Sequence, residues 1–374
     1  MLKIAIITIN DNNNYGNRLQ NYALQQYLLK KIKIEKVDTI WYDPKYKYMS
    51  QIDIVSWRTW IKYIINWKNQ RKYLKKEYLD NNIRMYNIAK FTKNIKTKLD
   101  FKIRNNLNKE YDYFITGSDQ IWNPNFWSKR YNHANIRFLK FASKEKRIAY
   151  AASIAIPEIP KDKEQFFKDS LNEMKSISMR EKAGAKLVKN LIGREVPVVV
   201  DPTILLSKEE WQKIEMVPEW YNGEKYILTY FLGNPSPVIE KIAKKNNLKI
   251  YNLMDKDNFD LYTSRVEEFV YLINHAQLVA TDSFHACVFS ILMNTPFLVV
   301  NRQEKDMADM TSRIDTLMEL FGYQDRYIIN GKCDLSDEEI LHMDFSKVKD
   351  IQEREKKRSK DFLEKALNLK VNDR

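Results

Sequence analysis

The chain has 374 residues, an apolar fraction of 44% and a formal net charge of +14. That length carries two domains with two separate cores, and the composition excludes disorder as the default state. The charge attracts anions, whether nucleic acid, acidic lipid, phosphorylated metabolite or acidic sugar, and composition alone does not choose among them.

"MLKIAIITIN" reads as a short β-like run without the charged leader and cleavage site of a signal peptide. No run of eighteen apolar residues exists, so a cytoplasmic protein is expected. The two cysteines, Cys287 and Cys333, have no metal-ligand spacing; no structural metal is expected, and low cysteine use fits a reducing compartment.

After the strand "KIAIITI" comes a helix, "NRLQNYALQQYLLKKI", with Leu19, Ala23, Leu24, Tyr27 and Leu28 on one face. "IEKVDTIW" is the next strand. Residues 44–108 break the alternation and read as a helical insertion. Within it Trp57, Trp60, Ile61, Ile64 and Ile65 recur at helical spacing among Arg58, Lys62, Lys68, Arg71, Lys72, Lys75 and Lys76. Such a segment either docks on its own domain or lies on an anionic membrane surface. Alternation then resumes with strands "YDYFITG", "RIAYAAS" and "SISMR", helix "EKAGAKLVKNLI" and strand "VPVVVDP".

A second series holds strands "YILTYFL", "LKIYNL", "QLVATD" and "PFLVV" between helices "SPVIEKIAKK", "RVEEFVYLINHA" and "SFHACVFSILMN". The fold class is therefore α/β, with two Rossmann-like domains built on parallel sheets. The boundary falls in "DPTILLSKEEW": residues 1–205 form the first domain and 206–335 the second. Residues 336–374, ending in a long charged helix, are expected to pack back on the first domain.

In such folds ligands collect beyond the carboxyl ends of strands. "NDNNNYGNRL" places Gly16 at a tight turn before a helix whose free N–H groups favour an anion, with Arg18 adding donors. "ITGSDQIWNP" places Asp119 at a strand end and Trp122 shortly after. Asp119 takes a hydroxyl proton, holds an arginine, or caps the next segment as an Asx turn. "TDSFHACVFSILMN" places Ser283 as N-cap and His285 in the first helical turn, either as a working acid or base or as a structural histidine. Arg180 ends "SISMR", Arg302 and Lys305 follow "PFLVV", and Arg313 lies in "TSRID". Together these cations point to a cleft for a small anion.

Four blocks in this order, "NYGNRLQNYALQ", "YFITGSDQIWNP", "SMREKAGAKLVKNLIGREVPVVVDPTILLSKEEW" and "TDSFHACVFSILMNTPF", resemble the polysaccharide pyruvyl transferase family. The resemblance covers about residues 1–30 and 110–325 and leaves 44–108 unexplained. It implies a GT-B-like fold and transfer of pyruvate from phosphoenolpyruvate to a sugar of a cell-surface polysaccharide, or of its lipid-linked precursor, as a cyclic ketal. It implies His285 as general acid, Asp119 as base or orienting group, and Arg180, Ser283, Lys305 and Arg313 around the donor. Gly16, Asn17, Arg18 and Trp122 would serve the acceptor. Phosphoenolpyruvate is then a co-substrate, with no cofactor or metal required. Where the family has glycine and a small hydroxyl residue after the histidine, this chain has Ala286 and Cys287. Cys287 is read as a buried small residue, not a nucleophile.

One rival keeps the fold and takes a nucleotide-sugar donor. Another, a nucleic-acid binder, finds no named motif in the chain, so no nucleic-acid partner is expected. The membrane reading of the insertion places the enzyme as a peripheral protein at the inner face of the plasma membrane. Deleting residues 50–80 is then expected to weaken co-sedimentation with anionic vesicles; binding equal to that of the intact chain rejects that reading.

Overall fold

The computed structural model describes residues 2–42, 76–100, 103, 106–129, 132–231, 237–300, 312–329 and 332–369. The basic aromatic stretch around Trp57–Lys76 lies almost wholly outside the described residues, as do Arg302 and Lys305.

Six strands form the first sheet: β1 (Lys3–Ile7), β2 (Lys36–Trp41), β3 (Thr97–Leu99), β4 (Tyr113–Thr116), β5 (Arg147–Ala152) and β6 (Ser176–Met179). Their order is β3-β2-β1-β4-β5-β6, and every pairing is parallel. Five more form the second: β7 (Tyr226–Tyr230), β8 (Lys249–Asn252), β9 (Leu278–Thr281), β10 (Phe297–Val300) and β11 (Tyr327–Ile328), ordered β11-β10-β9-β7-β8 and again parallel. Both are doubly wound orders, with switch points between β1 and β4 and between β7 and β9. β5, β7, β9 and β10 are buried along their whole length, as strands covered on both faces must be.

The longer helices are α1 (Tyr15–Lys30), α2 (Lys76–Lys90), α3 (Lys161–Asn172), α4 (Lys182–Ile192), α5 (Pro237–Lys245), α6 (Val266–Asn274), α7 (Phe284–Met293), α8 (Ser312–Phe321) and α9 (Val348–Ala366). α1 starts where Asn14 caps it, its side chain accepting from Gly16 N at 2.8 Å.

Several elements differ from the sequence reading. The segment 44–108 is not wholly helical: it contains α2, but it also returns a strand, β3, to the sheet edge. "VPVVVDP" is not a strand; only a single bridge joins Val198 to Met179. β11 has no counterpart in the sequence reading. Residues 337–341 form a short helix that stays with the second half, because Ile340 enters its core and the Arg326 guanidinium donates to the carbonyls of Glu339 and Ile340. The return to the first half is made by α9. Gln352 donates to the carbonyls of Ile204 and Leu206, Tyr27 donates to Lys356 O, and Lys175 donates to Ala366 O.

Each half keeps a buried cluster of its own, and the halves also share one. One buried cluster runs from Ile4, Leu19 and Leu24 of the first half to Leu228, Phe269 and Phe289 of the second. Tyr15 of α1 stacks on Phe269 of α6 at 4.5 Å, and its hydroxyl donates to Ser264 O at 3.0 Å. α2 adds a strap: the Arg84 guanidinium donates to the carbonyls of Leu253 and Tyr262, and Asn87 donates to Thr263 O. Trp211, fully buried after the connector, meets Tyr22 of α1 and Phe289 of α7 and donates to Thr203 O at 3.0 Å. Truncating it removes contacts to both halves at once. Trp211→Ala is expected to cost about 3–5 kcal/mol of unfolding free energy, read from urea denaturation.

Candidate active site

The carboxyl ends of both sheets supply the polar residues where the halves meet. At the end of β4 the chain turns through Gly117, with φ of +125°. A Cβ there would lie 2.0 Å from the Tyr150 carbonyl oxygen, so only glycine fits. Asp119 follows in the left-handed region, φ +53°, a conformation that costs a non-glycine residue about 1–3 kcal/mol unless its surroundings enforce it. They do here: Asp119 O accepts from Ser153 N at 3.1 Å and from Ile121 N at 2.8 Å.

Arg180, at the end of β6, is 4% exposed. Its Nη1 donates to Asp201 Oδ2 at 2.8 Å and its Nη2 to Asp119 Oδ1 at 3.4 Å. Phe284 of α7 covers the guanidinium at 4.5 Å, an attractive cation–π placement contributed by the other half. Arg313 of α8 also comes from that half and stands 3.8 Å from Asp119 Oδ1. Burial alone would raise the Asp119 carboxyl, but Arg180, His285 and Arg313 outweigh it and hold it below the ordinary range.

His285 is 4% exposed, and α7 is buried at every position, not only on one face. Its Nε2 lies 3.6 Å from Asp201 Oδ2. The other side of the ring presses on Gly16: a Cβ built there would lie 2.0 Å from His285 Nδ1. Gly16 is therefore required by the contact between α1 and α7.

Asp201, in the connector, escaped the sequence reading. It sits in the quoted block "VPVVVDP", an acid closing an apolar run as Asp119 and Asp282 do, and that was the signal available. Burial would raise its carboxyl, but His285, Arg180 and the Thr203 N–H pull it well below the ordinary range. Asn10 and Asn12 were also passed over. Both are buried after β1; both amide atoms of Asn12, and Oδ1 of Asn10 and Asn17, have no hydrogen-bond partner among the described residues.

The structure thus brings together His285, Asp119, Arg180, Arg313 and Gly16. Four expectations need correction. Trp122 is fully buried, stacked on Phe138 at 4.8 Å with its Nε1 donating to Arg137 O, so no sugar reaches its face. Arg18 is fully buried; its Nη2 donates to Ile9 O at 3.2 Å and its guanidinium lies 5.1 Å from the Trp41 ring, so it braces α1 from within. Ser283 holds the N-cap position of α7, but its side chain does not bond the helix. The described cations do not form an open cationic cleft either, because Arg180 and Arg313 already face Asp119, and Arg180 also holds Asp201. Cys287 is fully buried and burial pushes its thiol up, which matches the inert reading.

Two parallel doubly wound sheets, their carboxyl ends turned toward one shared site, define an α/β protein with two Rossmann-like halves. The chain belongs to the polysaccharide pyruvyl transferase family, whose model matches residues 14–304. Membership places it among enzymes of polysaccharide pyruvylation, with a sugar or polysaccharide acceptor. No curated protein matches the sequence. Among solved structures, a putative UDP-N-acetylglucosamine 2-epimerase from Listeria monocytogenes is similar at 11% identity and a TM-score of 0.44, covering 98% of this chain and 94% of that one. TarM from S. aureus is similar at 12% identity and a TM-score of 0.43, covering 99% of each chain. MurG from Acinetobacter baumannii is similar at 10% identity and a TM-score of 0.38, covering 95% of each. No helix among the described residues is long and apolar enough to cross a membrane.

Gly16→Ala tests the contact between the halves directly. The new methyl group has to displace the imidazole or part α1 from α7, so a loss of about 1–3 kcal/mol in unfolding free energy is expected. A crystal structure of the variant should show the His285 ring moved away from Asp201.

Proposed function

We propose that this enzyme transfers pyruvate from phosphoenolpyruvate to two hydroxyls of one sugar, releasing phosphate and leaving a cyclic ketal. The observation that carries the reading is the convergence of His285 and Arg180 on one buried carboxylate of the connector, Asp201, within a chain of this family.

The chemistry needs a proton on the methylene carbon of the enol while a sugar oxygen adds to its neighbour. His285 supplies that proton. The second hydroxyl then displaces phosphate and closes the ring. Asp119 is a poor base, because the charges around it favour its ionised form; it serves to orient Arg180 and Arg313 toward the donor. Ser283 and the uncapped start of α7 offer the donor further hydrogen bonds, and Lys305 adds a cation. Gly16 and Asn17, at the start of α1, face the acceptor. A lipid-linked acceptor at the inner membrane face suits the basic, aromatic segment after residue 56.

The test is incubation of the pure protein with phosphoenolpyruvate and a panel of glycosides. Expected is a product heavier by one pyruvylidene group, absent with His285→Asn although that variant still folds, as its far-UV circular dichroism should show. A melting-temperature rise with nucleotide sugars and none with phosphoenolpyruvate rejects the proposed donor in favour of glycosyl transfer.

A further inference from the structure

Asp201 reaches the carboxyl edge of the first sheet from the connector, and its carboxylate is anchored at both oxygens. Oδ1 accepts from Thr203 N at 3.0 Å and from Thr203 Oγ1 at 2.7 Å. Oδ2 accepts from Ser118 Oγ at 2.9 Å and Arg180 Nη1 at 2.8 Å, and faces His285 Nε2 at 3.6 Å. Thr203 fixes the carboxylate plane, so Oδ2 is held toward the imidazole. The Asp201 side chain is fully shielded from water, and among the described residues Nε2 has no other partner. At 3.6 Å the pair is longer than a hydrogen bond, as catalytic pairs often are without substrate.

Among the described residues, Asp201 comes to the ring from the connector and Asp119 from the loop after β4, with Arg180 and Arg313 standing behind these two carboxylates. α1 brings Gly16, and Phe284, on the ring's own helix, meets it edge-on at 5.2 Å.

We propose that Asp201 is the positioning residue of His285: its Oδ2 holds the Nε2–H, and Nδ1, on the Gly16 side at the start of α1, is the nitrogen that delivers the proton. Nothing in the orientation of the ring depends on the donor, but the destination of the proton rests on the pyruvyl transfer proposed above. In that step the donor is the imidazolium, with a proton on each nitrogen: the Nδ1–H bond breaks, a C–H bond forms at the methylene carbon, and the neutral Nε2–H ring is left on Asp201. Nδ1 is reprotonated by the proton that the adding sugar hydroxyl sheds. A carboxylate that fixes the imidazole tautomer and stabilises its charged form acts through histidine, not on substrate.

The experiment uses the full chain labelled with ¹⁵N-histidine, the four histidines being assigned by single substitution. Imidazole ¹H–¹⁵N spectra of the free protein report the tautomer without any substrate. The neutral ring of His285 is expected to carry its proton on Nε2, and Asp201→Asn is expected to shift at least a third of the population to Nδ1–H. With phosphoenolpyruvate and acceptor, the same variant should lose roughly 10²-fold or more in kcat, with Asp201→Glu regaining part of it. If Asp201→Asn does not fold, Thr203→Val, which keeps the charge but frees the carboxylate to turn, is read in the same spectra and should shift the tautomer in the same direction. An Nδ1–H tautomer in the parent protein, or an unchanged ratio in a folded variant, overturns the proposal. A parent protein with the Nε2–H tautomer that makes no ketal leaves the pairing standing and removes the pyruvyl reading instead.

Discussion

Two carboxylates buried near the middle of the molecule have to be neutralised, and no single half of the chain does it. Asp119 and Asp201 belong to the first half and the connector, whereas His285 and Arg313 belong to the second. Breaking a buried ion pair by removing one partner typically costs about 3–5 kcal/mol, because the remaining charge is stranded away from water. Apposition of the halves and charge balance at the site are therefore one condition. The contact that permits both is a backbone without a side chain, at Gly16, where α1 and α7 touch.

The alternating order of strands and helices was legible because most central strands are continuous apolar runs and the helices keep their period. What failed shares a cause. β3 is three residues, none of them buried, and β11 is two, so neither writes a pattern. "VPVVV" has the composition of a strand, but its valines cover the sheet edge instead of extending it beyond one bridge. The shared core was invisible for a different reason: periodicity tells which face of a helix is buried, not which half of the molecule buries it. Tyr15 and Trp211 are ordinary aromatic positions in the sequence and cross-half contacts in the fold.

The candidate site was legible to the extent that ligands follow strand ends. That rule found Asp119, Arg180 and His285, which follow three separate strands and which the fold gathers within reach of one another. It misled at Trp122 and Arg18, since a large side chain just past a strand can turn inward as easily as outward. Phe138 for one and Trp41 for the other supplied the inward partner. Asp201 was missed because a connector is read as a boundary and not as a place for chemistry. The asparagines after β1 carry no strand-end signal of their own, although both amide atoms of Asn12 and Oδ1 of Asn10 are buried without a partner among the described residues.

The route taken by α9 has a bearing on how the polypeptide matures. Domains emerging from the ribosome tend to fold in order, N-terminal first. Here the last long helix lies over Tyr27, Tyr150 and Lys175 and clasps the connector at Ile204 and Leu206. The surface of the N-terminal half that α9 covers therefore stays open until that helix, Val348–Ala366, has been made. A nascent chain stalled before Val348 would be a natural client for chaperones, even with both sheets already complete.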